Sequence, residues 1–246
     1  MITVLILGSA PNAVNATQFD LDKVDALVTL NNAWSIRPDW THAIYPEDFP
    51  QTRRPSKNQN QKIVTFEEYV PANNAYGGII YAGATMAFTS AYWALSVLKP
   101  QMLLFYGCDM VYDQPGAKTH FYGDGAADPL RDDPTLQSLE AKSNRILTLA
   151  AQEGCACANL SDLPKSRLTF PRIDSALLDT LCETDYQRLI LEINQRVDRA
   201  MYEKAISAED EAGLFHANGD YWNSDLDIDP KRLADIDTIW RSAVHD

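Results

Sequence analysis

The chain has 246 residues, 46% of them hydrophobic and 22% charged, with a formal net charge of −13. That is enough apolar material for one large domain or a domain with an appendage, and the acidic balance argues against nucleic acid or anionic lipid as a partner. No apolar run approaches the roughly 20 residues of a membrane-spanning helix. The opening Ile2-Thr3-Val4-Leu5-Ile6-Leu7 lacks the basic lead and cleavage site of a signal peptide, so a cytoplasmic protein without a transmembrane segment is expected.

Residues 2–8 are a continuous apolar run ending in Gly8, the pattern of a parallel strand covered on both faces. Ser9-Ala10-Pro11-Asn12 then turns the chain. Strands are predicted at Asp25 to Leu30, running into Asn31-Asn32, and at Thr41 to Tyr45, stopped by Pro46. After a polar loop from Pro50 to Gln61, a short strand follows at Lys62 to Phe66. Thr85 to Leu98 has the length of a helix and is apolar nearly all round, hence buried; Lys99-Pro100 ends it. Met102 to Tyr106 is the next strand, closed by Gly107-Cys108-Asp109. Residues 113–134 form a long loop rich in Gly, Asp and Pro, a length that points to function or disorder. An amphipathic helix from Leu136 to Gln152 stops at Gly154, and Cys155 to Leu160 is a last short strand.

The alternation of strand and helix predicts an α/β fold: a Rossmann-like, doubly wound, mostly parallel sheet over residues 1–168. Beyond it, helices are expected at Ile173 to Cys182 and Asp185 to Ile206, the second laced by Glu192 with Arg196 and Asp198 with Tyr202. Residues 169–246 therefore read as a helical C-terminal appendage, a lid or an oligomerisation segment, which leaves a homo-oligomer open. Cys108, Cys155, Cys157 and Cys182 lack a zinc spacing; three of them read as small core thiols, and no metal site is expected.

In open parallel sheets, ligands bind outside the carboxyl ends of the strands. Gly8 permits close backbone approach, and the amides of the Ser9-Ala10-Pro11-Asn12 turn suit a phosphate, although a plain strand-to-helix turn has the same composition. Asn31 and Asn32 offer paired donor and acceptor to a base or ribose, or serve a turn that tolerates left-handed geometry. Ala84-Thr85 opens a helix with a hydroxyl, suited to an N-cap and equally to an anion. Asp109, following Gly107, suits ribose hydroxyls, a divalent ion or a turn cap. His120, beside Phe121 and Tyr122 in the long loop, has the side chain for proton transfer near neutrality. No nucleophile elbow or HExxH motif occurs.

In order and spacing, Gly8-Ser9-Ala10-Pro11-Asn12, Leu30-Asn31-Asn32, the small-residue helix start, Gly107-Cys108-Asp109-Met110-Val111-Tyr112 and the His120-Phe121-Tyr122-Gly123 loop resemble the bacterial sialyltransferases of glycosyltransferase family 42 and the related MptE-like proteins. The resemblance covers residues 2–168. It implies a nucleotide-sugar donor, CMP-sialic acid being the type case, and a glycan or other hydroxyl acceptor, with no cofactor required. The cytidine would lie near Asn31 and the phosphate near Ser9, Ala84 and Thr85. Tyr112 and Tyr122 would assist the departing phosphate, and His120 or Asp124 would act as base. Ser9 and Ala10 stand where the family has Asn and Gly, and Asp124 stands where it has a second histidine. The MptE-like relatives imply an alternative, a pterin diphosphokinase using ATP and magnesium on Asp109 and Asp113. A catalytically inactive nucleotide-binding protein is the third reading.

Overall fold

The computed structural model describes residues 1–83, 85–112, 118–123 and 133–245. Six strands, β1 (Thr3–Leu7), β2 (Ala26–Leu30), β3 (His42–Ile44), β4 (Lys62–Val64), β5 (Met102–Tyr106) and β6 (Ala156–Asn159), form one sheet in the order β4-β3-β2-β1-β5-β6. Every pairing is parallel, with Ile6 of β1 opposite Val28 of β2 and Phe105 of β5. Each residue of β1, β2 and β5 is buried, as unbroken apolar runs require of strands covered on both faces. The chain lays β1 to β4 outward on one side, then returns to place β5 on the other side of β1. The strand order thus reverses between β1 and β5, the position at which open parallel sheets take ligands outside the carboxyl ends of their strands.

The return runs through helices α1 (Phe66–Asn74), α2 (Ile79–Ala82) and α3 (Met86–Leu98). Helix α3 lies against β1 and β2 and also touches α1 and α4 (Leu139–Gln152), so neighbours on several sides account for its all-round apolar surface. Helix α1 was not expected from the sequence, since Pro71 sits inside it. Packing on α3 overrides that local penalty, and Asn73 adds a clamp by donating from Nδ2 to the carbonyls of Tyr69 and Thr89.

The appendage departs from expectation in three places. Ile173 to Cys182 holds only a 3-10 turn, Ser175–Thr180, which buries Leu178 alone and so has no apolar face to sustain a helix. Asp185 to Ile206 is two helices, α5 (Glu183–Arg196) and α6 (Arg199–Ala212). The break falls where Val197 turns extended to bridge Val244 and Asp198 caps α6 through the Met201 amide. Arg196 directs Nε and Nη2 to the carbonyls of His245 and Thr169, so the expected pairing with Glu192 yields to tertiary contacts. Finally α7 (Pro230–Ser242) is a helix that was not expected, although Asp229 as cap and Pro230 at its first position mark its start.

Helix α4 joins two cores. One face belongs to the sheet's core; the other meets a second cluster that includes Tyr81, Ala205, Tyr221, Leu233 and Trp240. Two cations of α4, Lys142 and Arg145, are buried in that junction. Lys142 lies 3.0 Å from Asp237 of α7, and Arg145 pairs at 2.8 Å with Glu209 of α6. No helix among the described residues is long and apolar enough to cross a membrane.

Candidate functional site at the strand ends

The turns after β1 and β5 interlock. Gly8 donates its amide to the Tyr106 carbonyl and Ala10 to the Gly107 carbonyl, at 2.8 and 2.9 Å. A Cβ on Gly8 would lie 2.2 Å from the Gly107 oxygen, and Gly107 itself holds a φ of +67° with Ala13 packed on it. Both glycines are thus required by the approach of the two turns to each other. The Gly8 and Ala10 amides are thus occupied by the backbone of the second turn. Ser9 is likewise engaged: Oγ donates to the Leu30 carbonyl at 3.3 Å, and its own carbonyl receives the Phe121 amide at 3.0 Å. Pro11 opens the 3-10 turn Pro11–Gln18 and is exposed.

Among the described residues, three buried oxygens at these strand ends accept no hydrogen bond. They are Oδ1 of Asn12 after β1, Oδ1 of Asn31 after β2 and Oδ1 of Asp109 after β5. These strands are neighbours, so the orphan acceptors line adjacent strand ends. Asp109 is only 1% exposed, and its other oxygen receives a single donor, the Ser161 hydroxyl at 2.7 Å. Asn12 donates Nδ2 to Asp162 at 2.9 Å, and Asn31 sits at a φ of +51°, the left-handed geometry its residue type tolerates. The Asn32 carbonyl accepts from the Ser35 hydroxyl at 2.8 Å. A buried acceptor without a donor is costly, about 1–3 kcal/mol, and three such acceptors at adjacent strand ends fit a ligand that brings donors.

His120 stands beside these strand ends. The Phe121 amide bond to Ser9 pins its segment to the β1 turn, and a two-way backbone bridge joins His120 with Gly123. Its imidazole lies beside Tyr112 and Tyr122, with ring centroids at 6.2 and 5.0 Å. Nδ1 contacts Thr119 Oγ1 at 2.8 Å. Burial lowers the His120 pKa below its ordinary value, so the neutral imidazole dominates near neutrality. The tautomer that donates Nδ1–H to Thr119 presents a basic lone pair at Nε2. Burial pushes the Tyr112 phenol upward and keeps it a proton donor. Thr85 caps α3, its Oγ1 accepting from the Phe88 amide at 3.4 Å. Ala84, Asp113 and Asp124 lie outside the described residues.

Other parts of the site escaped the sequence reading. Ser161 and Asp162, which hold Asp109 and Asn12, follow β6, and their signal was a further strand end with polar residues. Arg53 and Trp34 close the β2 side: the Trp34 indole donates to the Arg53 carbonyl at 2.9 Å, and the Arg53 guanidinium lies 6.0 Å over the Tyr122 ring. The signal there was a cationic Arg53-Arg54 pair within an acidic chain. A separate open cleft of about 610 Å³ lies between the start of α4 and the ends of α5 and α7, lined by Asn144, Arg196, Arg241 and His245 among others, and none of its residues was read from the sequence as a site residue. Among the described residues, no three His, Cys, Asp or Glu side chains cluster to hold a metal ion. Compared with protein-family models, with curated proteins and with solved structures, the chain matches none.

Proposed function

We propose that the chain is a glycosyltransferase-like enzyme that binds a nucleotide sugar across the carboxyl ends of β2, β1 and β5 and transfers the sugar to a hydroxyl acceptor. The observation that carries this reading is the row of orphan acceptors, Asn12, Asn31 and Asp109, at a reversal of strand order. Ribose and sugar hydroxyls and a base amino group are the donors such a row suits. The resemblance to the family 42 sialyltransferases supports CMP-sialic acid as the donor to try first.

In the reaction, the bond between the sugar's anomeric carbon and the phosphate oxygen breaks, and the acceptor oxygen forms a new bond to that carbon. His120, neutral by burial, takes the acceptor's proton at Nε2. The phosphate leaves with the nucleotide, and the Tyr112 and Tyr122 hydroxyls donate to the charge that develops on it. The Tyr112 and Tyr122 ring centroids lie 6.2 and 5.0 Å from that of His120, which supports this assignment of roles.

The test is thermal denaturation with excess CMP, UDP, GDP or ATP plus magnesium, followed by nucleotide release from CMP-sialic acid with a hydroxyl acceptor. A ligand at 100 times its Kd stabilises by about 2.7 kcal/mol, a readily seen shift. Stabilisation by CMP and turnover that falls about 10²–10⁴-fold in His120→Ala are expected. Absence of any shift with all four nucleotides contradicts the reading, and a shift with ATP and magnesium alone redirects it to phosphoryl transfer.

A further inference from the structure

The orphan acceptors suit the donor-rich part of a nucleotide but repel its phosphate. The first turn offsets this only in part, because the Gly8 and Ala10 amides and the Ser9 hydroxyl are already engaged. A cation beside the strand ends would complete an anion site there.

Arg53 is placed to supply it. Two other cations of the same stretch are committed elsewhere: Arg54 donates to the carbonyls of Phe49 and Glu47 and lies over Tyr45, and Lys62 pairs with Glu68; Lys57 is exposed and has no contact with Tyr122 or Trp34. Arg37, the other cation near the β2 end, is paired with Asp39 at 2.6 Å. Arg53 is exposed, and among the described residues its guanidinium contacts only the face of Tyr122. A free arginine is notable in a chain of net charge −13. The Trp34 indole fixes the Arg53 backbone, and Trp34 lies in the 3-10 turn Asn31–Ser35 that begins with the orphan Asn31. Contacts thus run unbroken from the β2 end through Trp34, Arg53, Tyr122 and His120 to the β1 end.

We propose that Arg53, laid over Tyr122, is the anion-recognising residue of the strand-end site. The ligand is then a phosphate-bearing nucleotide whose hydroxyl and amino donors face Asn12, Asn31 and Asp109 while its phosphate faces Arg53. This rests on the nucleotide reading above and alters one part of it, moving the phosphate from the first turn to the β2 side. The planar guanidinium fork matches two phosphate oxygens at once, and the face of Tyr122, 6.0 Å away, favours a cation at this position.

Calorimetric titration of CMP and of cytidine into the wild type, Arg53→Ala, Arg53→Lys and Lys57→Ala separates the possibilities. Arg53→Ala should weaken CMP binding about tenfold or more, leave cytidine binding within about twofold, and remove most of the salt dependence of CMP binding. Arg53→Lys should recover part of the loss, since it restores charge without the fork. Lys57→Ala, an exposed charge change in the same loop, should leave both ligands within about twofold. Arg53→Ala that binds CMP like the wild type overturns the proposal. Equal loss of cytidine and CMP also overturns it, because Arg53 then only shapes the site. A wild type that binds neither ligand instead removes the nucleotide reading itself, a distinct result, and the Arg53 assignment falls with it.

Discussion

Two buried carboxyl groups of this protein are treated in opposite ways. Glu209, 5% exposed, receives Arg145 on both oxygens at 2.8 Å and the Trp240 indole at 2.7 Å. Arg145 is in turn bonded to the Tyr92 hydroxyl and the Tyr76 carbonyl. Burial works against the charge on Arg145, but the Glu209 charge outweighs it and holds the guanidinium above its usual value. Asp109, more deeply buried, has the Ser161 hydroxyl on one oxygen and nothing on the other. The first group closes a network that docks the C-terminal helices on α4. The second is left open at the strand ends, as expected of a group whose partner arrives with a ligand.

The sharpest way to break this contrast is to remove Arg145. Arg145→Ala leaves Glu209 buried without its cation and is expected to cost about 3–5 kcal/mol, read by denaturant unfolding. The double change Arg145→Met with Glu209→Leu should recover much of that, since an apolar pair of similar volume avoids the unpaired charge. A loss below about 1 kcal/mol in Arg145→Ala would mean that the network is not closed as described.

At the strand ends the order of effects reverses. Asp109→Asn keeps an acceptor for Ser161 and is expected to change stability by less than about 1 kcal/mol, yet to weaken CMP about tenfold or more. If stability collapsed while binding survived, Asp109 would belong with Glu209 as a structural group.

The two regions should also differ in pH response. Burial lowers the pKa of His120 from an ordinary 6.5, and burial with the nearby Lys62 does the same for His42. The unfolded chain therefore takes up protons that the native state refuses. The stability from these histidines is fully present above about pH 6.5 and is lost as pH falls through that value towards the native pKa. Melting temperature should decline across that window, and His120→Gln should flatten the decline. An unchanged slope in that variant would show that the ring is not held neutral by burial.

The smallest effect tests the start of α3. Thr85→Ala removes the cap on the Phe88 amide and should cost about 0.5–1 kcal/mol. A much larger loss of nucleotide affinity than of stability would place Thr85 against the ligand.

Most of the sheet was legible because its strands are buried on both faces, so their apolar runs are unbroken, and because Gly8 and Gly107 punctuate their ends. Asp109 and Asn31 stood out as polar residues at such ends, and His120 as a histidine beside aromatic residues in the long loop. What stayed hidden depends on tertiary contact. Lys142 and Arg145 look like the solvated face of an amphipathic helix until α6 and α7 cover them. The break at Val197 depends on a bridge to Val244, far along the chain. Gly8 suggested space for a phosphate, whereas that space is occupied by Gly107 and Cys108. Ser161 and Arg53 acquire meaning only from the groups they meet across the fold.

The most direct measurement is a crystal structure of the protein with CMP. Nucleotide density across the ends of β2, β1 and β5 is expected, with hydroxyl or amino donors on Asn12, Asn31 and Asp109 and the phosphate towards Arg53. Density that leaves those three oxygens unpaired, or that sits instead in the cleft of Arg196, Arg241 and His245, would contradict the assignment of the strand ends as the binding site.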